Sequence, residues 1–290
     1  MALRLKGGGP LPEVGDRLVV GTCDIAGAGV RALLGLARAD GTPPLAVHEL
    51  ELASLATPRS RDDADAGAVF VPLGADGDAA PAVSLVRLDE SLSLLAVNAA
   101  TNEEDEAPLA AAVLALAAGR DRRVTIAGAL RMDDASENDS TLVVELGGEP
   151  STVGAASLGA PRDGFKKKAP KVRDGLLAAL FHAARSMGVK TTCVFVPGHR
   201  VSRLGGRSEG GLSETELEAT QTTHALGEAL AKRLNENDER FNGADKNANG
   251  DENKARGAYR YDAVAAATFR ASRLWRENAG APAHTDRMYT

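Results

Sequence analysis

The stretch from Asp174 to Gly198 narrows the fold of this chain more than any other. Asp174 stands where a helix N-cap belongs, and Leu176, Leu177, Leu180, Phe181, Ala184 and Met187 follow at spacings of one helical face. Gly188 ends that pattern, the run from Val189 to Val196 is β-branched and apolar, and Pro197-Gly198 closes it. A helix with one apolar face feeding directly into a strand buried on both faces requires further layers on either side. The expected fold class is therefore α/β.

The rest of the chain supplies matching pieces. Strands are predicted at Arg17 to Cys23, Leu45 to Leu50, Ala68 to Val71, Val83 to Leu88, Leu92 to Val97, Val124 to Leu130 and Leu142 to Leu146. Helices are predicted from Val30 through Ala37, stopped by Asp40-Gly41, and from Pro108 to Ala118, with the acids Glu103 to Glu106 ahead of it at the favourable end. A helix starts at Ser213, with Glu216 completing a capping box, and reaches Leu234; a last helix is expected from Tyr259 to Trp275. The reading is one α/β domain over 13–277, a three-layer sandwich with polar inserts expected to be disordered at 147–173 and 235–257, then a flexible tail over 278–290.

Only ten of the 290 residues are aromatic, while 43% are hydrophobic, so the core must be built mainly from Ala, Val and Leu. The net charge of −6 with both signs interspersed lacks the basic footprint that duplex DNA or an anionic membrane demands, and Lys166-Lys167-Lys168 reads as a solvated loop. Neither nucleic acid nor membrane is an expected partner. The start Met1 to Lys6 lacks a secretory apolar core, and no run approaches the ~20 apolar residues of a membrane span, so the expected location is the cytoplasm, with the nucleus also open to it. Cys23 and Cys193 lie in apolar runs and read as small buried hydrophobes, not as a disulfide.

Three motifs look catalytic or ligand-binding. Gly27-Ala28-Gly29-Val30-Arg31-Ala32 fits the dinucleotide fingerprint between a strand and a helix, with Glu49 and Glu51 about twenty residues on, where an acid would meet a ribose. Against it, Cys23-Asp24-Ile25-Ala26 separate the strand from the first glycine, and tight helix-on-sheet packing explains the glycines too. Gly206-Arg207-Ser208-Glu209-Gly210 matches a nucleophile elbow but follows a loop and not a strand. Asp245-Lys246-Asn247-Ala248-Asn249-Gly250 copies the first half of a calcium loop, yet the twelfth position, which needs a bidentate Glu, is Arg256. His48, His182, His199, His224 and His284 show no paired zinc spacing, so neither metal nor cofactor is expected. Catalytic residues are expected to be absent. With 31 glycines in the chain, chance matches to glycine-based motifs are the natural explanation.

The sequence ends Met288-Tyr289-Thr290, a hydrophobic residue, a tyrosine and a residue carrying the carboxylate. With three Tyr in 290 residues, composition produces such an ending only about 0.4% of the time. An extended tail of this kind can insert its ring and carboxylate into a pocket. The ending is similar to the hydrophobic-Tyr-X (HbYX) tail that proteasome activators and assembly chaperones insert between adjacent α-subunits of the 20S core particle. The order of elements, in particular Leu18 to Gly21 leading into the helix ending near Leu36, Val124-Thr125-Ile126 after a helix, and Leu176 to His182 feeding Gly188 to Phe195, resembles the proteasome assembly chaperone 1 family.

That resemblance implies an α/β/α sandwich without catalytic activity or cofactor, forming a heterodimer with a second assembly chaperone on the outer face of the α-ring. It implies that Met288 fills the apolar part of an α-subunit pocket, Tyr289 packs its ring and uses its hydroxyl, and Thr290 supplies the carboxylate. The alternative is a dinucleotide-binding α/β enzyme using Gly27, Gly29 and Glu49.

Overall fold

The computed structural model describes residues 3–24, 27–52, 70–72, 81–99, 101, 103–117, 122–130, 141–146, 172, 174–198, 214–241 and 258–271. An eight-stranded mixed sheet forms its centre. The strands are β1 (Leu3–Leu5), β2 (Arg17–Thr22), β4 (Ala46–Leu52), β6 (Val83–Arg87), β7 (Leu92–Val97), β8 (Arg123–Leu130), β9 (Leu142–Leu146) and β10 (Thr191–Pro197), in the order β1-β4-β6-β7-β2-β8-β10-β9. Strands β7, β2, β8 and β10 are parallel, and the flanking strands on both sides are antiparallel.

Helices cover both faces. On one lie α2 (Glu103–Ala115) and α3 (Gly175–Met187), and Leu109, Val113, Leu114, Leu177 and Leu180 pack there against Leu18, Val20, Val124, Ile126 and Phe195. On the other lie α1 (Ala28–Leu34) and α4 (Glu214–Phe241), where Ala28, Ala32, Leu226 and Leu230 meet Val19, Leu94, Ala127 and Val194. This is the three-layer α/β sandwich expected from the sequence. Val19 and Val20 are both fully buried and belong to opposite faces, as a strand buried on both sides requires. Two small sheets complete the described structure: β3 (Leu36–Arg38) with β11 (Tyr259–Tyr261), and β5 (Phe70–Pro72) with β12 (Phe269–Ala271).

The Asp174 to Gly198 unit folds as its residues dictate. Asp174 Oδ1 accepts a hydrogen bond from Leu177 N at 2.7 Å, and Gly188 takes the left-handed conformation, φ 64°, that ends α3. Cys193 is fully buried on β10 and burial pushes its thiol up to about 12. Val20, Ile126 and Cys193 are in register on adjacent strands, so Cys193 lies two strand spacings, ~10 Å, from β2, and Cys23, just past the end of β2, is beyond disulfide reach.

Four expectations are corrected. The helix after the first strand ends at Leu34 with Gly35 as its cap, where a Cβ would lie 2.5 Å from the Tyr261 ring, and the chain turns into β3, which pairs with β11, instead of continuing to Ala37. Helix α2 begins at Glu103, so the acidic run forms its first turn and Pro108 lies within it. Helix α4 runs through Phe241, seven residues into the predicted 235–257 insert, since no glycine or proline interrupts that stretch. The helix expected from Tyr259 is replaced over 259–271 by β11, the short α5 (Ala263–Ala267) and β12. Strand β1, at the start of the sequence, carries no local signal and forms by antiparallel pairing with β4. Of the 147–173 insert only Val172 is described, and 242–257, Ser213 and the 278–290 tail lie outside the described residues.

Tyr259 shows why β11 displaces the helix. Its backbone N–H donates to Asn235 Oδ1 at 3.0 Å, its carbonyl accepts from Asn235 Nδ2 at 2.9 Å, and its hydroxyl donates to Asp89 Oδ2 at 2.7 Å. Arg17 Nη2 donates to the same hydroxyl at 2.8 Å. Burial, then the Asp89 hydrogen bond, pushes the phenol up to about 12. Three distant segments therefore converge on one residue that is 4% exposed. Tyr259→Phe removes a donor from Asp89 and an acceptor from Arg17, and is expected to cost about 1–3 kcal/mol in urea unfolding, with the slope of the transition unchanged. An unaltered midpoint would show that the network adds nothing.

Candidate functional site

In open α/β sheets the crevice beyond the carboxyl ends of the parallel strands, where the strand order reverses, is the usual ligand site. Here that point is the end of β2, flanked by β7 on one side and β8 on the other. The predicted fingerprint sits at this place. Gly27, with φ 62°, turns the chain into α1, and Gly29 is pressed so closely against the sheet that a Cβ would lie 2.8 Å from Ala127 O and from Thr22 N and O. A Cβ on Gly21 would in turn fall on the Gly29 carbonyl. These glycines let the helix backbone meet the sheet backbone, the packing role weighed against ligand binding above.

The N–H groups that would hold a phosphate are occupied from within. Asp24, only 2% exposed, accepts from Ala28 N at 2.8 Å through Oδ1, and from Gly29 N at 3.0 Å and Ala129 N at 2.7 Å through Oδ2. The four residues that separate β2 from Gly27 thus deliver an internal carboxylate to the N-terminus of α1 and tie it to β8. Nor does Glu49 complete a ribose site. It lies on β4, separated from β2 by β6 and β7, about three strand spacings or ~14 Å away, and pairs at the surface with Lys6 at 2.6 Å. The structure brings Gly27 and Gly29 together and leaves Glu49 apart from them.

Further acids gather behind Asp24. Asp174 at the head of α3 is held up to about 7, first by burial and then by the nearby charges of Asp24 and Glu106, against the opposing Leu177 hydrogen bond. Burial also raises the Glu106 carboxyl, which packs against Gly175. Burial, then Asp24 and Asp174, pushes the half-buried Cys23 thiol well above its usual range, which disfavours the nucleophilic thiolate. The sequence reading did not single out Asp24, Glu106 or their meeting with Asp174. An acid at the end of a strand three residues before a helix-opening glycine was the available sign for Asp24.

A separate cleft of about 220 Å³ opens between α1, α4, β11 and α5, lined by Arg31, Thr220, His224, Tyr261 and Ala266 among others. Its lining is largely apolar, and the rings of His224 and Tyr261 lie 5.5 Å apart. Among the described residues no group of three acidic, histidine or cysteine side chains could hold a metal ion; His48, His182 and His224 stand on β4, α3 and α4. No helix among the described residues is long and apolar enough to cross a membrane. Met288, Tyr289 and Thr290, the 206–210 elbow motif, the 245–256 calcium-loop motif, His199 and His284 all lie outside the described residues.

No protein-family model and no curated protein matches the chain. Among solved structures it is similar to Pyrococcus furiosus PbaA, an archaeal homolog of proteasome-assembly chaperone, at 12% identity and TM-score 0.41 over 79% of this chain and 85% of that one. A protein of unknown function from Thermoplasma acidophilum is 10% identical with TM-score 0.41, covering 80% of this chain and 84% of that one. Pyrococcus furiosus PbaB, an archaeal proteasome activator, is 10% identical with TM-score 0.38, covering 84% and 98%. At these identities and TM-scores the likenesses fix neither a family nor a partner, and function rests on this chain's own residues.

Proposed function

We propose that this chain is a non-enzymatic chaperone of 20S proteasome assembly, acting in the cytoplasm, and in the nucleus where assembly takes place there. It pairs with a second assembly chaperone on the outer face of the α-ring and inserts its tail between α-subunits. The observation that carries this reading is the Met288-Tyr289-Thr290 ending of a chain with three tyrosines in all. The filled crevice at the end of β2 supports it from the other side, because Asp24 takes the N–H groups a dinucleotide would need.

The tail requires Thr290 to carry a free carboxylate, which mass spectrometry of the C-terminal peptide checks first. Affinity purification through an N-terminal tag, leaving the C-terminus free, is then expected to recover proteasome α-subunits and a second chaperone without mature activators. Deleting Tyr289-Thr290 or adding a residue after Thr290 is expected to weaken α-ring binding at least ~10-fold, the scale of losing one aromatic anchor with its carboxylate. Undiminished binding by the truncated chain would remove the tail from the mechanism. Calorimetric titration with NAD, NADP and ATP is expected to give no heat of binding, and a defined dissociation constant would favour the enzyme reading.

A further inference from the structure

Three carboxylates meet where the N-termini of α1 and α3 approach the end of β2. Asp24 is bound by three backbone N–H groups and serves the end of α1; Asp174 caps α3 through Leu177 N. A helix N-terminus favours negative charge. Glu106, from the first turn of α2, is the additional one. It lies so close to Gly175 that a Cβ there would overlap its carboxylate, which places a second acid at the same end of α3.

Among the described residues, the groups bearing on the charge of Asp174 are Asp24 and Cys23 from the end of β2 and Glu106 from α2, and all are acids. An independent sign comes from Thr22. It is the last residue of β2, on the same side of the strand as Leu18 and Val20, which face α2 and α3. Its hydroxyl is buried, 1% exposed, with no hydrogen-bond partner among the described residues. A buried hydroxyl left unpaired beside crowded carboxylates is a place that gains by admitting water.

We propose that the contact between the first turn of α2 and the N-terminus of α3 is a proton-held latch. One proton among Asp24, Glu106 and Asp174 keeps the helices docked, and its loss lifts the first turn of α2 so that the half-buried Asp174 becomes fully hydrated and water reaches the buried Thr22. The sign follows from linkage. A carboxyl at about 7 when docked and near its ordinary 3.8 when hydrated binds more protons in the docked form, so docking is strongest below the ordinary value and is lost as pH rises toward 7.

Hydrogen exchange of the full chain between pH 5 and pH 8, corrected for intrinsic rates, tests this. The amides of Leu177 and Ala178, which bond Asp174, and the helix-bonded amides of the second turn of α2 are expected to lose protection by tenfold or more, up to roughly 100-fold, through an opening that low denaturant does not accelerate. Asp174→Asn keeps an oxygen for the Leu177 bond and is expected to abolish the pH dependence. Glu106→Gln is expected to shrink it, and Thr22→Val to keep the latch closed to higher pH. Protection that is flat with pH, loss only at the rate of the β8 amides through global unfolding, or a Glu106→Gln chain matching the native one would each overturn the latch. The last comparison stands even if Asp174→Asn fails to fold.

Discussion

Asp24→Ala is expected to destabilise the chain by about 3–5 kcal/mol, measured by chemical denaturation with two probes to verify a two-state transition. The carboxylate satisfies the N–H groups of Ala28, Gly29 and Ala129 at 2.7–3.0 Å in a site closed to water. Removing it leaves three buried donors with no partner, each worth about 1–3 kcal/mol, less whatever a water entering the vacated space recovers. Asp24→Asn is expected to fall between, because one oxygen remains and an NH2 group is turned toward a donor. The two substitutions separate hydrogen bonding from shape. A loss below ~1 kcal/mol for Asp24→Ala would mean that the α1 N-terminus is open to solvent and that the crevice is not plugged.

Gly21→Ala is expected to cost about 3 kcal/mol or more, with Gly29→Ala close behind, and the loss would appear as poor soluble yield or a lowered Tm. The new methyl on Gly21 would meet the carbonyl of Gly29, and the one on Gly29 would meet the backbone of Thr22 and Ala127. Flexible side chains can swing aside from an added methyl, but backbone on both sides moves only if α1 separates from the sheet. That separation would also open the helix-to-sheet contact around Ala28 and Ala32, which are fully buried. A stable Gly21→Ala chain would show that α1 sits further from β2 than described.

The two experiments bear on why a dinucleotide motif occurs in a chain that uses it for packing. A strand, a tight turn and a helix pressed on the sheet need small residues whether or not a phosphate sits above the turn. The distinguishing part is what lies between strand and turn, and here that part is an aspartate that fills the anion position itself.

Much of the fold was legible because it rests on local signals. Leu92 to Val97 and Leu142 to Leu146 are found as strands over the expected residues, and α3 begins one residue after its predicted cap and ends at its predicted glycine. Apolar periodicity, capping side chains and glycine stops act within a few residues of each other, so they can be read along the chain. The errors fall where a distant partner decided the outcome. Residues 259–271 carry helix-compatible Ala and Val, yet Asn235, Asp89 and Arg17 hold Tyr259 extended against β3.

The candidate site divides in the same way. The Met288-Tyr289-Thr290 tail, on which the proposed function rests, is a sequence feature whose chemistry needs no surrounding fold to be recognised. The meeting of Asp24, Glu106 and Asp174 could not be read, because those three acids lie 68 to 150 positions apart in sequence. By itself the sequence determined the layered α/β class, since strands apolar on both faces admit no arrangement without helices on each side. Only the tertiary structure decided that the crevice is filled and that like charges share it. Burial and proximity set those properties, and neither exists until α1, α2 and α3 are docked on the sheet.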